Sequence, residues 1–400
     1  MIENFPFSVS QKKILDTIAQ DFKMWNEKSL EELFPHHLCE KYKDKELLRQ
    51  IVRYYENIWN NLKNTPTNYQ NFKNITYDNS RKISFVSHTN ETLGFGMCPV
   101  ASPKTRCCNL LTLDAVQSCG FDCSYCAIQS FYNENKIGID SSFNEKLKTI
   151  QLDPNEIYHI GTGQSSDSLM WGNKFGTLEA LFDFAKTNPN VILELKTKSD
   201  NINYLLENVV PKNVIVTWSL NPQIIIDNEE HLSASLDSRI QSALKLSRKG
   251  ILVGFHFHPI VVFENYLLEY GKIYARLIKE FDPKMVALVS FGTLTFIKPV
   301  LKKLRQRGLK SKILQMPFDD ANGKYSYPLE LKKEMFKHAY ESFKPWYKDV
   351  FFYLCMEDES LWKEVFGYEY ISNNQFEEFM KEAYMKKVEG FRVKMGDMNG

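Results

Sequence analysis

The chain has 400 residues, 43% apolar and 14% aromatic, enough for one large domain or two ordinary ones with a substantial core. Lys and Arg number 50 against 49 Asp and Glu, which excludes nucleic-acid binding carried by bulk charge and leaves only a local patch. No apolar run reaches the roughly 18 residues of a membrane span, the opening MIENFPFSVSQKKILD lacks signal-peptide order, and eight cysteines are too few for a disulfide framework, so a soluble cytoplasmic protein is expected.

The first elements read as helices. SQKKILDTIAQDF offers Ser10 as an N-cap and spaces Ile14, Ile18 and Phe22 on one face; KELLRQIVRYYENIWNNL repeats the pattern. NTPTNYQNFKNITYDNSRK is polar and reads as a connector. The rhythm then changes. Short β-rich runs recur as LLTLDAV, IYHIGTG, VILELKTK, NVIVTWSL, ILVGFHFHPI and MVALVSFG, separated by helical stretches such as TLEALFDFAKTN and LDSRIQSALKLSRKG. Six such strands imply βαβ units and a parallel sheet, as an open barrel or a doubly wound sheet, with the chemistry at the carboxyl ends of the strands. The remainder is mostly helical, with DVFFYLCME as one further strand candidate.

The stretch CGFDCSYCAIQ follows the first strand and carries Cys119, Cys123 and Cys126 as C-x3-C-x2-C. Structural zinc wants four ligands, commonly as two separate pairs. Three close thiols match three irons of a [4Fe–4S] cube, which leaves the fourth iron to a small molecule. A zinc knuckle borrowing a distant ligand is the competing reading.

That spacing, with Tyr125 before the last cysteine, resembles the signature of the radical S-adenosylmethionine superfamily. The wording of GTGQSSDSL, LELKTKSDNINYLLEN, VTWSLNPQ, GFHFHPI, FGTLTFIKP and GKYSYP is similar to the spore photoproduct lyase family, from about Cys98 to about Glu357. The resemblance implies an α/β chain with a partial parallel (β/α)6 TIM-like barrel over 96–360, while the residue patterns themselves give a helical N-terminal region over 1–95 and a helical C-terminal extension over 361–400. It implies a [4Fe–4S] cluster and S-adenosylmethionine as cofactors, reductive cleavage to a 5′-deoxyadenosyl radical, and an external donor of the flavodoxin or ferredoxin type. The substrate class it suggests is nucleic acid, in a DNA-repair lineage. The alternative is an iron–sulfur or zinc nucleic-acid-binding protein without radical turnover.

Carried over position by position, Tyr125 packs near adenine, and Ser166 and Asp167 lie in the loop toward the methionine amine. Lys198 reaches the carboxylate, Ser219 and Asn221 face the ribose or carboxylate, and His258 meets cofactor or substrate. Each has a plain alternative: Ser166 and Asp167 as helix caps, Lys198 as an exposed lysine, Ser219 and Asn221 as turn formers, His258 as a core histidine. Two positions depart from the family. Gln164 stands where family members carry a hydrogen-donating cysteine, and Ala127 where they carry a tyrosine, so the substrate is unassigned.

Cys98, Cys107 and Cys108 read as buried inert thiols, or as a substitute hydrogen donor or ligands of a second cluster; Cys39 and Cys355 read as core. Period two puts His256 and His258 on one strand face. LKKLRQRGLKSK, the densest basic stretch, reads as a solvated helix face. The aromatics of KPWYKDVFFY and GKYSYP suit barrel closure or base stacking.

Overall fold

The computed structural model describes residues 5–70, 72, 83–89, 95–98, 104–127, 136–321 and 323–396. Three helices open the chain: α1 (Val9–Trp25), α2 (His36–Lys41) and α3 (Asp44–Asn64). The α1 cap is Ser8, not Ser10: Ser8 and Gln11 exchange side-chain and backbone bonds in a capping box, which starts the helix earlier. Ile18 and Phe22 are fully buried. Most of the polar connector lies outside the described residues, although Thr67, Tyr69 and Phe72 are buried.

Two strands precede the first strand expected from sequence: β1 (Ser84–His88) and β2 (Phe95–Met97). They are short and exposed, so they lack the apolar run that marks a buried strand. There follow β3 (Leu111–Leu113), β4 (Val116–Gln117), β5 (Lys136–Asp140), α4 (Phe143–Leu147) and β6 (Tyr158–Thr162). The series continues with α5 (Thr177–Thr187), β7 (Val191–Thr197), α6 (Asn203–Glu207), β8 (Val214–Ser219), α7 (Gln223–Glu229), α8 (Leu236–Arg248) and β9 (Leu252–Ile260). Next come α9 (Tyr266–Glu280), β10 (Val286–Thr293), β11 (Thr295–Phe296), α10 (Lys298–Gln306), β12 (Asp319–Ala321), β13 (Lys324–Ser326) and α11 (Leu329–Ser342). β14 (Phe351–Leu354), α12 (Ser360–Phe366) and α13 (Asn373–Gly396) complete the order.

The main sheet runs β2, β3, β6, β7, β8, β9, β10, β14. All neighbours are parallel except β2 on β3. Sequential order with helices in every crossover is the winding of a (β/α) barrel rather than a doubly wound sheet. All six sequence-expected strands are present, and DVFFYLCME supplies a seventh parallel one, β14. Every residue of β8 and of β10 is buried, because helices cover one face and the barrel interior the other.

The barrel is incomplete between β14 and β3, and α13 fills that gap. Asn109 donates to Glu377 at 2.8 Å, and the Cys107 backbone to Asn373 at 3.0 Å. The Tyr384 ring meets His159 edge-on at 5.3 Å. Trp346, Phe352 and Tyr353 of KPWYKDVFFY and Tyr327 of GKYSYP are core. The N-terminal helices share the same apolar core. Asp21 of α1 accepts Arg305 of α10 at 2.6 Å, and Thr67 donates to the Gln315 carbonyl at 2.6 Å. No helix among the described residues is long and apolar enough to cross a membrane.

Candidate active site at the barrel mouth

The cysteine loop leaves the carboxyl side of β3 and β4, where a parallel barrel exposes its working loops. None of the eight cysteines is in a disulfide. Burial raises the Cys119 thiol, and Asp167 and Cys126 push it further; Lys198 pulls it back. Burial and then Glu230 raise Cys123, with Cys126 and Cys119 adding to this and Lys198 again opposing. Cys119 and Cys123 thus each sense one another's or Cys126's thiol and the charge of Lys198. Yet no three His, Cys, Asp or Glu side chains among the described residues gather closely enough for a single metal ion.

Two adjacent acids at the end of α7 hold this loop, and the sequence reading missed both. Glu229 takes the Ser124 hydroxyl, Tyr69 Oη at 2.8 Å, Ser311 Oγ at 2.6 Å and the Lys312 backbone N–H at 2.9 Å. Its carbonyl accepts the Ser124 N–H at 2.8 Å. Glu230 pairs with the Cys123 backbone as an isolated bridge. Its carboxylate takes the Tyr125 hydroxyl, Lys198 Nζ at 3.1 Å, Asn221 Nδ2 at 2.7 Å and Arg239 at 2.6 Å. Burial alone would raise the Glu230 carboxyl; Arg239 and then Lys198 outweigh it and hold it well below the usual carboxylate range.

Most of the residues expected from sequence meet this hub. Tyr125, Lys198 and Asn221 all bond to Glu230, and Asn221 also accepts from Tyr270 at 2.5 Å. Ser219 is buried, and its carbonyl accepts Arg239 at 2.9 Å. Asp167 accepts the N–H groups of Leu169 (3.0 Å) and Met170 (2.9 Å), Thr197 Oγ1 (2.7 Å) and the Lys198 N–H (2.7 Å). It thus caps a turn and ties the β6 loop to the end of β7. The Ser166 hydroxyl is buried without a hydrogen-bond partner. Burial and then Lys196 hold the His258 imidazole neutral, far below its ordinary value.

Beneath the mouth lies a polar layer across five strands. Glu194 on β7 binds His159 (2.8 Å), His256 (2.7 Å) and Thr217 (2.7 Å), while His256 Nδ1 meets Ser290 at 2.5 Å. The two histidines of β9 share the interior face as expected, and Glu194 is the acid partner that strand periodicity could not supply.

The chain belongs to the spore photoproduct lyase family. The family model described as spore photoproduct lyase matches residues 27–343. Curated spore photoproduct lyases are 23% identical over 216 residues in a Geobacillus species and 23% over 226 in Clostridium acetobutylicum, covering 52% and 54% of this chain. The matches span 62% and 64% of those relatives. A spore photoproduct lyase variant solved with bound AdoMet and dinucleoside spore photoproduct has a TM-score of 0.57 at 20% identity, over 68% of this chain and 81% of that one. At that identity the likeness establishes the fold.

Within this family fold, several readings change. LKKLRQRGLKSK is a brace rather than a solvated face: Arg305 pairs with Asp21, and Arg307 with Asp122 inside the cysteine loop. Both Arg307 and Asp122 are almost fully buried. Cys39 is exposed, not core. Cys355 is not solitary, since Cys98 and Cys107 act on its thiol, which burial pushes up to about 12. Cys107 is buried, and a hydrogen bond from Cys108 lowers its thiol to about 6.

Proposed function

We propose that this protein is a radical S-adenosylmethionine enzyme of the spore photoproduct lyase type. One observation carries the reading: a C-x3-C-x2-C loop at the carboxyl side of the first barrel strands, held beside the Lys198–Glu230 pair. Cys119, Cys123 and Cys126 would hold a [4Fe–4S] cluster and leave one iron to S-adenosylmethionine. When bound, the two supply an electron and a 5′-deoxyadenosyl radical able to take a hydrogen atom.

The chain's own groups bind and orient. Lys198 favours ionised thiols at Cys119 and Cys123 and stands at the same spot as a point charge for a carboxylate. Glu230 holds Tyr125, Asn221 and Lys198 on one carboxylate oxygen, so the pocket is set before a ligand arrives. The unpartnered Ser166 hydroxyl gives a polar ligand group a place to bond. Asp167 chiefly braces the loop, with room at Oδ2 for one more donor. Ser219 and His258 line the same face of the barrel, at the ends of β8 and β9.

The substrate we assign is nucleic acid, and the electron donor a flavodoxin- or ferredoxin-type protein. Gln164 and Ala127 offer neither an S–H nor a phenol, so hydrogen return follows a different route from that of the family relay.

Anaerobic reconstitution tests the reading. The native chain should bind iron with a brown charge-transfer absorption and release 5′-deoxyadenosine with dithionite and S-adenosylmethionine. Cys119→Ala should lose both. Bound zinc with no nucleoside product would overturn it.

A further inference from the structure

The barrel mouth holds a cation that the proposed cofactor pocket does not use. Lys196 lies two residues beyond Glu194 on β7, so both side chains share one face. Glu194 fixes that face as the interior, because it meets His159 of β6, Thr217 of β8 and His256 of β9. The Lys196 charge acts on His256, His258 and Cys355, from β9 and from the end of β14. Its ammonium makes no hydrogen bond or ion pair with any described residue.

The neighbouring interior cations differ. Lys198 and Arg239 share Glu230, and Lys332 is paired with Glu357 at 2.6 Å. A part-buried lysine head gives up hydration, which proteins normally recover with an acid. Among the described residues the nearby acids are already engaged: Glu194 by two histidines and a threonine, and Glu357 by Lys332 and Thr293. His256 is held on both nitrogens, by Ser290 and Glu194. His258 carries no such bond and is neutral. Gly292 of β10 makes room for it, since a Cβ there would lie 2.6 Å from His258 Cδ2 and 3.0 Å from the Cys355 carbonyl.

We infer that Lys196, with the His258 imidazole as a hydrogen-bond donor, forms an oxyanion subsite for a phosphate group of the substrate, beside the pocket around Lys198 and with a cation of its own. An ammonium with three donors and an imidazole with one suit an anion carrying several acceptor oxygens. The inference rests on the proposed function only for the identity of the substrate; the cation needs neither cluster nor nucleoside. A phosphate and the methionine carboxylate of S-adenosylmethionine are both oxyanions, and the arms of the test separate them.

The reconstituted full chain is titrated calorimetrically with thymidine 5′-monophosphate, thymidine and S-adenosylmethionine, as native protein, Lys196→Met and Lys196→Arg. Loss of one charged hydrogen bond should weaken the monophosphate about tenfold in Lys196→Met, with thymidine and S-adenosylmethionine within about twofold of native and Lys196→Arg close to native. On native protein, the monophosphate but not thymidine should shield Lys196 from acetylation, read by mass spectrometry, so the test survives a variant that fails to fold. Equal monophosphate affinity in native and Lys196→Met, no shielding, or a loss confined to S-adenosylmethionine would overturn the subsite. A chain that releases no 5′-deoxyadenosine could still pass every one of these tests, so the two readings fail separately.

Discussion

Glu230 concentrates the residue-scale argument. Its carboxylate is shared by Lys198, Arg239, Asn221 and Tyr125, and both it and Arg239 are fully buried. Removing one partner of such a pair leaves the other charge uncompensated. Glu230→Gln should therefore cost about 3–5 kcal/mol in guanidinium unfolding, and should lower iron uptake on reconstitution because the cysteine loop loses its anchor. Gly292→Ala tests crowding instead: the new methyl meets the His258 ring and the Cys355 backbone, so one of them must shift. Overpacking of this kind should cost about 1–3 kcal/mol, measured by thermal melting. Neither residue advertised its role. Two adjacent glutamates in a polar stretch read as solvent-facing, and a glycine in an apolar strand reads as local slack.

At the scale of elements, β9 carries a pH signature. Burial first and then Lys196 bring His256 down to about 4, and His258 is lowered as well. Glu194 and His159 also face His256. Between the ordinary histidine value of about 6.5 and about 4, the unfolded chain binds protons that the folded chain refuses, so stability falls as pH drops through that window. The slope should be about 1.4 kcal/mol per pH unit for each such histidine. Urea midpoints at pH 7 and pH 5 measure it, and His256→Asn should flatten the dependence even where it lowers the midpoint. The segment after α10 offers a second test. Arg307 reaches Asp122 between Cys119 and Cys123, both side chains nearly buried. Arg307→Leu removes this ion pair and should lower the thermal midpoint, with faster iron loss to a chelator than in the native protein.

At the scale of the whole molecule, the helices at the two ends of the chain belong to the barrel's stability. Phe376, Met380, Tyr384 and Val388 of α13 are all essentially buried. At roughly 1.5–3 kcal/mol for each large apolar side chain, they supply an amount comparable to the whole margin of a folded domain, about 5–15 kcal/mol. Deleting residues 373–400 should therefore abolish the cooperative thermal transition rather than shift it. The N-terminal helices share the same core and are tied through Asp21–Arg305 and Tyr69–Glu229, so the full chain should melt in one calorimetric step.

Sequence by itself determined the parallel barrel strands and the cysteine loop. Buried parallel strands need unbroken apolar runs, and a cluster loop needs thiols at fixed spacing; both are local demands that are written locally. Tertiary structure alone decided which charges meet. Glu229 lies 105 residues from Ser124 and 160 from Tyr69, and Arg307 lies 185 from Asp122. No periodicity links positions so far apart. Whether a Lys or Arg is solvated, braced or left facing an empty mouth depends on which acid the fold brings beside it, and that is settled only when the sheet closes.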